Sequence, residues 1–195
     1  DQGPDRYGLH ALHYAAGSRL PGKRKETLVA RLLAAGADPN VESIAGTHRI
    51  TPAYLAANAG NLAIFRQLLQ HGADPTRALT TAVWNTEPFE AYAAPCLAHG
   101  ANPDLATADN KPLLNNLIQW GRMKQAYWLL DHNASPNLPD RDGWTALHQA
   151  ASRGNAKMIQ ALLTRGADAN RKDKLGHTPA DVARITGHPF PTAKR

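Results

Sequence analysis

Gly36-Ala37-Asp38-Pro39-Asn40 returns along the chain as Gly72-Ala73-Asp74-Pro75-Thr76 and as Gly100-Ala101-Asn102-Pro103-Asp104. It returns again as Asn133-Ala134-Ser135-Pro136-Asn137 and as Gly166-Ala167-Asp168-Ala169-Asn170. Consecutive starts lie 36, 28, 33 and 33 residues apart. Self-similarity at such a period marks an architecture of stacked repeats. A second pattern keeps phase with the first. Thr145-Ala146-Leu147-His148-Gln149-Ala150-Ala151 places His148 18 residues before Gly166, and Thr51-Pro52-Ala53-Tyr54-Leu55-Ala56-Ala57 places Tyr54 18 residues before Gly72. Weaker copies begin at Leu9-His10-Ala11-Leu12-His13, Pro112-Leu113-Leu114-Asn115 and Thr178-Pro179-Ala180-Asp181.

Each repeat can be read chemically. Thr or Pro at the start of a first helix supplies a cap or a preset φ for the first turn. The Ala-Ala pair leaves room for close helix approach. Met158, Ile159, Leu162 and Leu163 then give one apolar stripe on a second helix, with parallel stripes at Leu28 to Leu33, Leu62 to Leu69 and Tyr127 to Leu130. Gly166 ends its helix, because glycine takes the left-handed conformation cheaply. Asp168 and Asn170 suit the turn that follows. No single repeat buries its own apolar face, so stability must come from stacking.

These residues resemble the ankyrin-repeat family, whose unit of about 33 residues opens with a T-P-L-H-x-A pattern. The resemblance runs from about Asp5 to about His188. It implies an all-α ankyrin-repeat solenoid of helix–turn–helix units with hairpin-like finger loops. A single domain over 1–195 is expected, with repeats at 5–40, 41–76, 77–104, 105–137 and 138–170 and a capping half-repeat at 171–188. Departures from the pattern are local. The first repeat carries an insert, Ser18 to Lys25, and the connection from Asn40 to Thr51 is longer than its counterparts. The third repeat, Ala78 to Gly100, has a shortened finger, and Trp84 falls near its first helix. The last repeat loses its second helix at Pro189 and Pro191.

Composition narrows the function classes. Lys plus Arg number 22 against 16 Asp plus Glu, giving +6 and a pI near 9.7. This favours an acidic partner. The basic residues are scattered apart from Lys23-Arg24-Lys25 and Lys194-Arg195, without the aromatic interleaving of a single-strand nucleic-acid groove. No apolar run approaches the roughly 18 residues of a membrane span, so the chain is expected to be soluble. The one cysteine, Cys96, excludes an internal disulfide and sits in an apolar run that suits a buried thiol. The sequence starts at Asp1 without a methionine, as a recombinant fragment or a mature chain freed of a signal peptide would. The compartment stays open, the absent methionine leaning towards the bacterial periplasm with the cytoplasm as the alternative.

Nine histidines invite a metal or catalytic reading. The resemblance instead implies that His13 and His148 hydrogen-bond neighbouring turns. His71, His99 and His132 recur at one position near a helix C-terminus, which welcomes partial positive charge. His10 and His13 lack a third ligand. There is no G-x-S-x-G, phosphate-cradling glycine loop or H-E-x-x-H. The expectation is a non-enzyme without metal or cofactor.

In the ankyrin family, partners meet the positions flanking the hairpin glycine and those after the Ala-Ala pair. Here the resemblance implies Arg6, Tyr7 and Leu9 in the first repeat and Asn58 in the second. The fourth contributes Asp109, Lys111, Gln119 and Trp120, and the fifth Arg141, Asp142, Trp144, Ser152 and Arg153. Lys174 and His177 come from the last. Trp144 is expected at an exposed finger tip. Trp120 either faces the same groove or packs under the third repeat. Exposed Trp with Arg is the pairing that dominates interface energy.

The expected function is therefore protein binding through the concave face, with an acidic face on the partner and a chain that is monomeric when free. It would serve as a stand-alone inhibitor, such as a bacterial immunity protein. Two alternatives stand beside it. One is the ankyrin part of a larger signalling or secreted effector protein. The other is charge-driven binding of nucleic acid or anionic membrane, with nucleic acid the less favoured.

Overall fold

The computed structural model describes residues 10–18, 22–45, 48–85, 87–107 and 109–191. The described residues form eleven helices and one short hairpin. Contacts cluster into two compact units whose boundary in the chain falls between Asn102 and Pro103.

In the first unit α1 (Ala11–Gly17) packs on α2 (Gly22–Ala34), and α3 (Pro52–Asn58) packs on α4 (Leu62–Gln70). The long connection between them carries the hairpin, β1 (Ser43–Ala45) antiparallel to β2 (His48–Ile50). Thr51 begins α3, its hydroxyl accepting the Tyr54 N–H at 3.2 Å ahead of Pro52. The third repeat departs further than a shortened finger. Its first helix, α5 (Pro75–Asn85), starts inside the repeated pentapeptide and leaves no room for a finger at all. Asp74 makes this possible: its carboxylate accepts the N–H groups of Thr76 and Arg77 at 2.9 and 3.2 Å, capping a helix that Pro75 opens. Trp84 lies in α5, which packs on α6 (Phe89–Ala98). Phe65 of α4 meets Tyr92 of α6 edge to face at 5.2 Å.

The second unit repeats the scheme. α7 (Leu113–Gln119) packs on α8 (Met123–Asp131), and α9 (Ala146–Ser152) on α10 (Ala156–Thr164). α11 (Pro179–Ile185) covers α9. No second helix follows α11 before Pro191. In the second unit Met158, Ile159 and Leu162 are completely buried, as are Leu113, Leu117 and Leu147, whereas Leu28, expected in the stripe of α2, is 44% exposed and Val29 and Leu33 bury in its place. At roughly 1.5–3 kcal/mol for each large apolar side chain, such stacking supplies most of the favourable energy.

The fifth residue of the pentapeptide has one task throughout. Its side-chain oxygen accepts the N–H of the third residue in the next copy: Asn40 from Asp74 at 2.6 Å, Thr76 from Asn102 at 3.1 Å, Asp104 from Ser135 at 2.6 Å, and Asn137 from Asp168 at 2.8 Å. Where the residue is asparagine, Nδ2 also donates to the next copy's first carbonyl. Asn40 reaches Gly72 O and Asn137 reaches Gly166 O, both at 2.8 Å.

The histidines divide into two structural classes. His71, His99 and His132 follow their helices and bring Nδ1 to 2.8, 3.0 and 2.7 Å from the carbonyls of Gln67, Pro95 and Trp128. Each ring N–H thus adds a second donor to a last-turn carbonyl that already accepts the same histidine's backbone N–H. His13 and His148 are buried inside first helices. Nδ1 accepts the N–H of the capping residue, His10 or Thr145, at 3.2 Å. Nε2 must then carry the proton, and it donates to Ile50 O at 3.0 Å or His177 O at 3.2 Å.

Asn115 stands at the same motif position and does half of that task. Its Nδ2 donates to Trp144 O at 2.9 Å and Leu138 O at 3.2 Å, which forces the amide orientation. Its Oδ1 is buried without a hydrogen-bond partner. The cap residue explains this: Pro112 has no N–H to give.

Two predictions follow from these side chains. Burial lowers the pKa of both His13 and His148 below the ordinary 6.5. The unfolded chain therefore binds protons that the fold refuses, and stability present above about pH 6.5 is lost as pH falls through the lower folded values. A His13→Gln/His148→Gln variant should be weaker than wild type at pH 7 yet lose less of its urea midpoint between pH 7 and pH 5. Pro112→Thr, which restores the missing N–H and adds a capping hydroxyl, should raise unfolding free energy by about 1 kcal/mol in the same assay.

Candidate functional site

The site begins with three fingers of the second unit, built from one local plan. Asp140 N–H donates to Trp144 O and Asp173 N–H to His177 O, both at 2.9 Å, and Thr107 N–H donates to Lys111 O at 2.8 Å. In the later two fingers a carboxylate closes the turn from inside. Asp140 Oδ1 accepts from Asp142 and Trp144 N–H at 2.9 Å each. Asp173 Oδ1 accepts from Leu175 and His177 N–H at 2.9 and 2.8 Å. The fourth finger position is left-handed in all three: Asn110 at φ 61°, Gly143 and Gly176 at 84°. Gly143 is further constrained because a Cβ there would lie 3.0 Å from the Lys174 nitrogen.

Trp144 is tied down by this construction. Its indole N–H donates to Asp173 Oδ2 at 3.1 Å, and its ring stacks on His148 with centroids 6.1 Å apart. It is half-buried, with one edge left as wall. Burial pushes the Asp173 carboxyl up, but the N–H groups of His177 and Leu175 and the indole N–H outweigh it and hold the acid below its usual value.

Between fingers and helices lies a cavity of about 310 Å³. Lys111, Asp140, Asp142 and Trp144 form its finger side. Gln119, Gln149, Ser152 and Arg153 form its helix side, from the C-terminal half of α9 and the ends of α7 and α9. Two cations converge on one residue: Lys111 Nζ lies 2.8 Å from Gln119 Oε1, and Arg153 Nη1 lies 2.7 Å from Gln119 O. Trp120, the next residue, caps α7 and is 69% exposed.

The structure thus brings Lys111, Gln119, Asp142, Trp144, Ser152 and Arg153 of the expected set into one groove. Trp120 faces solvent. Arg141 and Lys174 are exposed on the fingers, and Asp109 is exposed on the first finger, held by the Thr107 hydroxyl. His177 is partly exposed, with Nδ1 3.6 Å from Asp173 Oδ2. Asn58 ends α3 in the first unit and is exposed. Arg6, Tyr7 and Leu9 lie outside the described residues. Asp140 and Gln149 line the groove without having been expected there. Leu175, 80% exposed, was missed too, although it stands two residues after Asp173 as Asp142 stands after Asp140.

Other candidates are occupied by structural work. Both ring nitrogens of His13 are engaged, so it has no lone pair for a metal. Among the described residues no group of three His, Cys, Asp or Glu side chains is disposed to hold one. Cys96 is fully buried, donates to Tyr92 O at 3.2 Å, and has its thiol pushed up to about 12 by burial, far from a reactive thiolate. Lys25 of the basic run points inward, its ammonium on Ser18 O and, at 3.3 Å, on Asn61 Oδ1. Among the described residues no helix is long and apolar enough to cross a membrane.

Comparison with known proteins agrees with the geometry. The family model described as "Ankyrin repeat" matches residues 7–44 and 48–79, and that described as "Ankyrin repeats (many copies)" matches residues 129–183. The fold is similar to the ankyrin repeat domain of Bcl-3, a member of the IkappaB protein family, at TM-score 0.74 and 27% identity over 90% of this chain and 79% of that one. It is also similar to a chain from the complex of the predatory endopeptidase Bd0816 of Bdellovibrio bacteriovorus with the immunity protein Bd3460. There the TM-score is 0.66 and the identity 28%, over 92% of this chain and 93% of that one. The curated proteins contain no match. Ankyrin repeats are protein-interaction modules and typically not enzymes. With its repeats, its inter-copy bonds and its family matches in agreement, the chain belongs to the ankyrin-repeat family.

Proposed function

We propose that the chain is a binding inhibitor of the bacterial immunity type, whose partner is an endopeptidase held against the fingers and inner-helix ends of the second unit. The observation that carries this reading is the likeness to a chain of an endopeptidase–immunity protein complex over more than nine-tenths of both chains. The groove supplies physical support. Arg153 lines it and bonds the carbonyl of Gln119, the exposed Trp120 is the next residue, and large aromatics with arginine carry most interface energy. Among the described residues, Lys111, Arg141, Arg153 and Lys174 pair with no carboxylate. Such free cations favour an acidic face on the partner.

A second reading, the ankyrin part of a larger signalling protein, is supported by the higher TM-score to the Bcl-3 domain. Charge-driven binding of nucleic acid or membrane is weakened by Lys25, which removes one charge of the compact basic run from the surface.

The test is to titrate the chain into endopeptidases encoded by the organism that makes it. Activity should vanish at one equivalent, with a 1:1 complex on gel filtration. Trp120→Ala should weaken inhibition about tenfold or more, equivalent to about 1.4 kcal/mol, without changing the unfolding midpoint. An enzyme set left fully active sinks the inhibitor reading. Association that ignores Trp120→Ala and disappears steeply with salt would favour the charge-driven one.

A further inference from the structure

We infer that the groove of the second unit is a receptor for one acidic side chain, a glutamate or aspartate of the partner protein, seated between Lys111 and Arg153 with its neighbouring apolar residue against Trp120. This rests on the protein-binding reading above and specifies its chemistry.

Among the described residues neither cation has a charged acceptor. Lys111 Nζ and Arg153 Nη1 both turn to Gln119, one to its side-chain oxygen at 2.8 Å and the other to its backbone oxygen at 2.7 Å. Both acceptors are neutral. These bonds already have a charged donor, and a carboxylate would add the charge–charge attraction that a neutral oxygen lacks, so an incoming carboxylate is a better acceptor than Gln119 Oε1. Lys111 can exchange one for the other by rotating its stem. Arg153 can keep Gln119 O on Nη1 and still offer its remaining N–H groups. Partial burial sharpens the preference, since Lys111 and Gln119 are half-buried and charge interactions strengthen as water is excluded.

The acidic residues on the other wall do not reverse this. Asp140 is buried, and its Oδ1 already accepts two backbone N–H groups. Asp142 is exposed, and its carboxylate makes no ion pair among the described residues. Two carboxylates thus stand on the finger wall, but among the described residues neither forms an ion pair with Lys111 or Arg153, and both cations keep N–H groups that an incoming carboxylate can meet in contact. Trp120 fixes what lies beside it. The Arg153 guanidinium spans the backbone around this residue: Nη1 bonds Gln119 O, and Nη2 lies 3.5 Å from where a Cβ on Gly121 would stand. The Trp120 side chain, 69% exposed, is thus apolar surface on the residue next to the one that holds both cations.

Defined peptides test this without the natural partner. The intact chain is titrated with Ac-Gly-Glu-Leu-NH2, Ac-Gly-Gln-Leu-NH2 and Ac-Gly-Lys-Leu-NH2, following the indole N–H resonances of Trp120 and Trp144 by NMR. The glutamate peptide should give saturable shifts and bind about tenfold more tightly than the glutamine peptide, with affinity falling as salt rises. A Lys111→Gln/Arg153→Gln variant should keep the wild-type spectrum elsewhere and lose that preference. Equal binding of glutamate and glutamine peptides, no shift with either, or tighter binding of the lysine peptide overturns the inference. The two readings fail separately. Endopeptidase inhibition that survives the double variant removes the carboxylate receptor and leaves the inhibitor. Glutamate-selective binding without any inhibition does the reverse.

Discussion

The bond from the fifth residue of each pentapeptide to the third residue of the next is the constraint on which the remaining order depends. A pair of short helices leaves polar backbone groups exposed at its ends and an apolar face uncovered. Stacking covers the face, but apolar contact alone is indifferent to small slips along the interface. The oxygens of Asn40, Thr76, Asp104 and Asn137 remove that freedom, since each meets one N–H at 2.6–3.1 Å. Asn40 and Asn137 add a bond to the carbonyl two residues earlier, because a carboxamide carries its donor and its acceptor on separate atoms that can meet two groups at once. Thr76 and Asp104 keep the acceptor, but a carboxylate has no donor and the single Thr76 oxygen makes no second bond of this kind. The links that begin at Thr76 and Asp104 are therefore held by one such bond where the others have two.

Much of this was legible in the sequence, and the limits have physical causes. Periodicity exposed the repeats because every copy must solve the same burial problem. His71, His99 and His132 could be assigned to helix ends because a recurrent position implies a recurrent backbone need. What sequence could not show was direction. Lys25 reads as one of three basic residues, yet its place on the inner side of α2, with Val29 and Leu33, sends the ammonium to buried oxygens. Trp144 reads as an exposed finger residue, yet the carboxylate of the next finger, Asp173, takes its N–H. The 28-residue spacing announced a deletion in the third repeat. That the whole finger was removed follows only from Pro75 and the capping carboxylate of Asp74.

Asn115 shows how a motif can be kept in role while changed in letter. Histidine serves two bonds, accepting from the cap and donating to the next finger. Asparagine keeps the donation to the next finger, and Pro112 has already deleted the bond it fails to make. The substitution and its consequence are visible together only when the hydrogen bonds are followed through both residues. Read alone, Pro112-Leu113-Leu114-Asn115 is simply a weak copy.

The same accounting separates structure from function in the groove. Asp140, Asp173 and Trp144 are consumed in holding fingers in place, and removing any of them would leave a buried polar group short of a partner. Lys111, Trp120, Arg153 and Leu175 carry no comparable duty. Trp120 and Leu175 expose most of their surface to water, and the two cations rest on neutral oxygens that Gln119 happens to offer. Exposed apolar area and unpaired charge each leave interaction energy unused in the free chain. These side chains, left without internal work, are the ones on which the proposed binding of a second protein rests.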